Sequence, residues 1–103
     1  MKLDPFYNET ELDEKLIRVQ TLGRIISRIN RVQFEQLIRM SIKSGVVDVT
    51  GWTVEGVKAL LTVCAEDNLR ITLKDDTRYF MPVRYPKGPL MESLAAAIVT
   101  GEW

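Results

Sequence analysis

Histidine is absent from this chain of 103 residues, and cysteine occurs once, at Cys64. Without histidine, the usual general base of an acyl-transfer triad is missing, and no Cys/His cluster exists to hold zinc. A single thiol cannot close an internal disulfide. Cys64 lies in the apolar run Ala59-Leu60-Leu61-Thr62-Val63-Cys64-Ala65, which suits a buried structural thiol. Phosphate-cradling glycine motifs are also missing: neither G-x-G-x-x-G nor G-x-x-x-x-G-K followed by Ser or Thr occurs. No apolar stretch approaches the roughly 20 residues that a membrane-crossing helix needs. Met1-Lys2-Leu3-Asp4-Pro5 has no apolar run of the signal-peptide kind. The expectations are a non-enzymatic protein without cofactor, metal or membrane, in the reducing cytoplasm.

Net charge is likewise absent, since 14 basic residues balance 14 acidic ones. The chain as a whole therefore exerts no pull on nucleic acid or an acidic membrane surface. With so little self-repulsion, an oligomer that covers apolar surface is one route to solubility, so a homodimer is among the expectations. Hydrophobic residues make up 46%, enough for a real core without metal or disulfide staples. Residues 1–103 are read as a single globular domain, with residues 1–8 an irregular N-terminal arm.

Asn8-Glu9-Thr10-Glu11 has the form of a helix start, and Leu12, Leu16, Val19, Leu22, Ile26 and Ile29 continue it at steps of three and four. Gly23 costs such a helix about 1 kcal/mol relative to alanine. A rival reading makes Leu16 to Leu22 and Arg24 to Ile29 two strands around Thr21-Leu22-Gly23. Phe34, Leu37, Ile38 and Ile42 form a second helix, stopped by Lys43-Ser44-Gly45. Val46 to Val49 reads as a strand, and Thr53 caps a third helix with Val54, Val57, Leu60, Leu61 and Cys64 on one face. Asp67-Asn68 stops that helix. Leu69, Ile71 and Leu73 then alternate with Arg70, Thr72 and Lys74, the pattern of a half-buried strand. Asp75 to Arg78 turns the chain into YFMPVRY, residues 79 to 85, and a last helix runs from Pro89 to Gly101. The order is ααβαββα. The expected fold class is α+β: a small mixed sheet, made of a βαβ unit and a C-terminal hairpin, packed with helices.

Pro82 lacks an N–H, which places the 79–85 strand at a sheet edge, where partners can pair or pack. Alternation puts Tyr79 and Met81 toward the core and Phe80 and Arg84 outward. Arg78, Phe80, Arg84, Tyr85 and Lys87 then form a cationic, aromatic rim and the candidate protein-binding site. Plain core packing of the rings is the alternative. Trp103 is expected to dock on its own domain or on a partner. Between Leu16 and Gly45, six basic residues face Glu35 alone, a local charge of +5. On one helix Arg24, Arg28 and Arg31 would form a stripe, and with Arg39 this is a candidate nucleic-acid-binding surface; a solvated face or pairing with acidic groups is the bland reading. The acidic pairs Asp13-Glu14, Glu66-Asp67 and Asp75-Asp76 fall at a helix start, a helix end and a turn, where solvated charge is the bland reading and a metal-binding or acid–base role, with Asp75-Asp76 the best placed, is the alternative.

VTGWT, residues 49–53, joins a strand to a helix, so Thr50, Gly51 and Thr53 are candidate anion-binding residues; an ordinary cap and turn is the alternative. The stretch VVDVTGWTVEGVKALL is similar to the strand–loop–helix of STAS domains, regulatory modules of the anti-sigma-antagonist type. The resemblance implies a phosphorylatable hydroxyl just before the helix, with Thr50 and Thr53 the nearest, and it favours strands over residues 16–29. The chain departs from that pattern in lacking an Asp-Ser-Ser-Gly run. The functional expectation is a protein-interaction or regulatory module of adaptor, inhibitor or immunity type. It would bind a protein partner, or a second copy of itself, through the edge strand and an adjacent helix face, with nucleic-acid binding the alternative.

Overall fold

A computed structural model describes residues 9–43, 45–82 and 84–102. The expected arm 1–8, the Asn8 cap, Val83 and the docking of Trp103 lie outside the described residues. The chain forms α1 (Glu9–Gly23), a single 3₁₀ turn (Arg28–Asn30), α2 (Arg31–Ser41), β1 (Gly45–Asp48), α3 (Val54–Asp67), β2 (Ile71–Asp75), β3 (Arg78–Phe80) and α4 (Pro89–Thr100). The fold is α+β, with four helices and a three-stranded mixed sheet in the order β1-β2-β3. β1 and β2 are parallel, with Val47 opposite Leu73, and α3 is their crossover. β2 and β3 are antiparallel, with Leu73 opposite Phe80 and Lys74 opposite Tyr79.

Directly opposed residues share a face. Val47, Leu73 and Phe80 therefore point with Ile71 toward the core, while Val46, Thr72, Lys74 and Tyr79 line the other face. α3 is the centre of that core: α1, α2 and α4 all pack on it, and Val57, Leu60, Leu61, Val63 and Cys64 are fully buried. Each such aliphatic side chain contributes about 1.5–3 kcal/mol by leaving water. The ends of α3 are those its residues dictate. Thr53 Oγ1 accepts from Gly56 N at 3.0 Å, and Asn68 turns left-handed at φ 53°, a conformation asparagine tolerates. Pro89 opens α4 and Gly101, at φ 74°, closes it.

The first helix stops earlier than the apolar spacing predicts. Neither a helix to Ile29 nor the two strands favoured by the STAS resemblance forms. Gly23 lies against the Trp52 indole, and its carbonyl accepts from Thr53 N at 2.9 Å. That bond takes the carbonyl out of any further helical turn. The chain then leaves α1 and inserts Ile26 into the core, while Ile29 stays 92% exposed. Consequently Arg24, Arg28 and Arg31 do not share a helical stripe. Arg24 follows the end of α1, Arg28 sits in the 3₁₀ turn, and Arg31 opens α2.

The edge position of β3 is as expected, but the strand is shorter and its faces are exchanged. It ends at Phe80 instead of reaching Tyr85. Pro82 is buried in the irregular segment that follows, where its missing N–H removes no ladder bond. Phe80 and Tyr85 pack on the core, whereas Tyr79 and Met81 are 61% and 59% exposed. Pairing with β2 decides this, because Phe80 stands opposite the buried Leu73.

Candidate protein-binding groove

Beyond β3, residues 81–82 and 84–87 have no regular structure and approach the C-terminal end of α3. Between them lies an open groove of about 880 Å³. Its floor is apolar, built from Leu69, Met81, Pro82 and the ring of Tyr85, with Cys64 fully buried beneath. Tyr85 is anchored: its hydroxyl donates to the Leu69 carbonyl at 3.2 Å. Burial pushes the Tyr85 phenol up to about 12, with the neighbouring Cys64 adding to the shift and a backbone hydrogen bond at Ile71 opposing it. Burial likewise pushes the Cys64 thiol up to about 11, against a smaller opposing effect of its hydrogen bond with Tyr85. Both groups are neutral near pH 7. A thiol in that state is a poor nucleophile.

Cations line the rim. Arg70, Arg84 and Lys87 are exposed at the groove, and none of the three forms an ion pair among the described residues. Among the described residues no acidic side chain lines it. This contrasts with the basic residues of α2 and α3. Arg31 reaches Glu55 at 3.3 Å and Glu35 at 3.8 Å, Arg39 pairs with Glu66 and with Asp67 at 3.5 Å, and Lys58 lies 4.0 Å from Glu55.

The structure thus gathers Arg84, Tyr85 and Lys87 around one groove and separates them from the other two residues of the expected rim. Arg78 donates from Nη1 to the Gly101 carbonyl at 2.8 Å, tying the hairpin to the end of α4. Phe80 turns inward. Arg70 is outward, as the 69–74 alternation predicts, but that pattern carries no signal of a site. Met81, which the alternation of 79–85 places toward the core, is exposed instead.

The other candidate residues, Arg28 apart, meet their own chain. Arg24 Nε donates to the Thr50 carbonyl at 3.2 Å, Arg31 and Arg39 hold the acidic groups named above, and Arg28 is exposed. Thr50 Oγ1 accepts from Asp76 N at 2.7 Å, and Thr50 N donates to Asp48 Oδ1 at 2.9 Å. Hydrogen bonding by the Thr50 side chain and by its backbone N–H holds the Asp48 carboxyl below the usual carboxylate range. Thr53 Oγ1 donates to the Ile26 carbonyl at 2.9 Å while it accepts from Gly56 N. Gly51, at φ 78°, makes the turn beneath the Arg24 side chain. Both hydroxyls of the VTGWT loop are therefore engaged in joining elements, and Trp52 is 2% exposed, packed edge-on to Phe34. The sequence matches no family model, no curated protein and no solved structure.

Proposed function

We propose that this protein is a non-enzymatic interaction module that receives a protein partner, a different chain or a second copy of itself, along β3 and the segment that follows. One observation carries this reading. Phe80 and Tyr85 pack on the core, the Tyr85 hydroxyl being bound to the Leu69 carbonyl, while Met81 and Arg84 between them in sequence are exposed. A backbone already anchored has little further ordering entropy to lose on binding, which favours affinity. Among the described residues β3 is the terminal strand of the sheet, next to β2. The neutral, buried state of the Cys64 thiol supports a role other than nucleophilic catalysis.

A photo-cross-linking amino acid at Met81 or at Arg84, expressed in the native host, tests the reading. Discrete adducts are expected, at twice the chain mass if the partner is a second copy. The same group at Ser93, exposed on α4, should give none of them. Adducts identical at Ser93, or none at Met81 and Arg84, would reject the proposal.

A further inference from the structure

Charge is distributed here in a way the interaction reading leaves unexplained. The chain has no net charge, and its α2 and α3 cations are matched to acids across the helix interface. At the groove, Arg70, Arg84 and Lys87 gather around an apolar floor with no carboxylate among the described residues that line it. Asp67 stands close in sequence but is turned to Arg39. Lys87 also borders a neighbouring hollow that contains Glu66 and Glu92, so Arg70 and Arg84 are the pair committed to the groove. Three cations in mutual proximity repel one another, and the repulsion is relieved when carboxylates arrive.

We infer that the groove between the end of α3 and residues 81–87 takes an acidic segment of a protein partner. Its carboxylates would lie on Arg70, Arg84 and Lys87, and an interspersed apolar side chain would lie on the floor of Met81, Leu69 and Tyr85. This rests on the interaction reading above and adds the chemistry of the partner. Arginine favours such a site because its planar fork engages a carboxylate through two parallel hydrogen bonds. A nucleic acid fits less well. The floor is mainly aliphatic, and the Tyr85 ring is packed against the core with its hydroxyl bound to Leu69, so it does not stand free to stack on a base.

Fluorescence anisotropy on the intact protein tests this with labelled peptides of about eight residues, the span of a short groove-bound segment. One alternates glutamate with leucine, and a second alternates lysine with leucine. A single-stranded thymidine oligonucleotide is the third probe. The glutamate peptide is expected to saturate in the micromolar range, and its affinity should fall as salt screens the rim. Arg84→Glu with Lys87→Glu should weaken it about tenfold or more, and the same variant should gain affinity for the lysine peptide, since like charges now oppose the first and attract the second. Arg84→Gln with Lys87→Gln serves if the reversed variant loses its fold by circular dichroism. Equal binding of the two peptides, no saturation, indifference to the variants, or tighter binding of the oligonucleotide at the same residues would each overturn the inference. Cross-links at Met81 accompanied by any of these results would leave the interaction reading standing and remove only its acidic partner.

Discussion

Replacing Gly23 with alanine sets a local preference against a tertiary contact. Alanine favours a helix over glycine by up to about 1 kcal/mol, less at a helix end, so propensity alone predicts a more stable protein. The structure predicts the reverse. A Cβ at position 23 would lie 2.3 Å from Trp52 Cδ2 and from Cε2. Ordinary contact begins near 3.4 Å, so the two groups must separate by about 1 Å. The indole has little room to give, being 2% exposed and in edge contact with Phe34 at a centroid distance of 5.5 Å. Overpacking of this kind costs about 1–3 kcal/mol, and the Thr53 N to Gly23 carbonyl bond, net worth about 1 kcal/mol, is strained with it. Net destabilisation of about 2 kcal/mol follows, a fall in Tm of roughly 8–16 °C for a domain of this size. Thermal melting by far-ultraviolet circular dichroism measures it. In a Trp52→Leu background the alanine penalty should shrink by about 1 kcal/mol or more, because the colliding ring is gone. A Gly23→Ala protein that melts at or above the parent temperature would show that the α1–Trp52 contact does not govern this junction.

Two further perturbations test the same framework elsewhere. Thr53→Ala removes the α3 cap and the hydroxyl bound to Ile26, and should cost about 1–2 kcal/mol in urea unfolding, whereas Thr53→Ser keeps the hydroxyl and should recover most of it; equal stability of the two would refute the capping role. Alkali should destabilise the fold. Cys64 and Tyr85 have folded pKa values of about 11 and 12 against ordinary values of 9.0 and 10.0, so the folded chain keeps protons that the unfolded chain releases. Their contribution is complete below about pH 9 and is lost as pH rises toward 11 and 12. Cys64→Ala should delay the onset of the fall in Tm toward pH 10, and an identical onset in parent and variant would exclude the thiol as its cause.

Local patterns carried much of the fold in readable form. Thr53, Asn68, Pro89 and Gly101 act where their own conformational preferences place them. The alternation of Ile71 and Leu73 with Thr72 and Lys74 is the burial pattern of β2, since both apolar residues face the helices. Lys43, expected in the cationic last turn of the second helix, donates to the Arg39 carbonyl at 2.8 Å. Such features depend on neighbours within one helical turn or on the two faces of one strand. The candidate groove was legible in part, through Pro82 as an edge signal and through the charge of Arg84 and Lys87.

The order of elements, the parallel βαβ unit and the antiparallel hairpin at the sheet edge were all determined by the sequence read alone, because periodicity and capping act over a few residues. Tertiary packing alone decided where α1 ends, since Gly23 stops the helix by meeting Trp52 and Thr53. It also matched Arg31 and Arg39 to acids of α3, pairings between residues 24 to 28 positions apart that no local pattern encodes. In YFMPVRY apolar residues occupy both alternating faces, so composition cannot choose between them. The Leu73–Phe80 pairing makes the choice, and a shift of one residue in that register would turn Tyr79 inward and Phe80 to solvent.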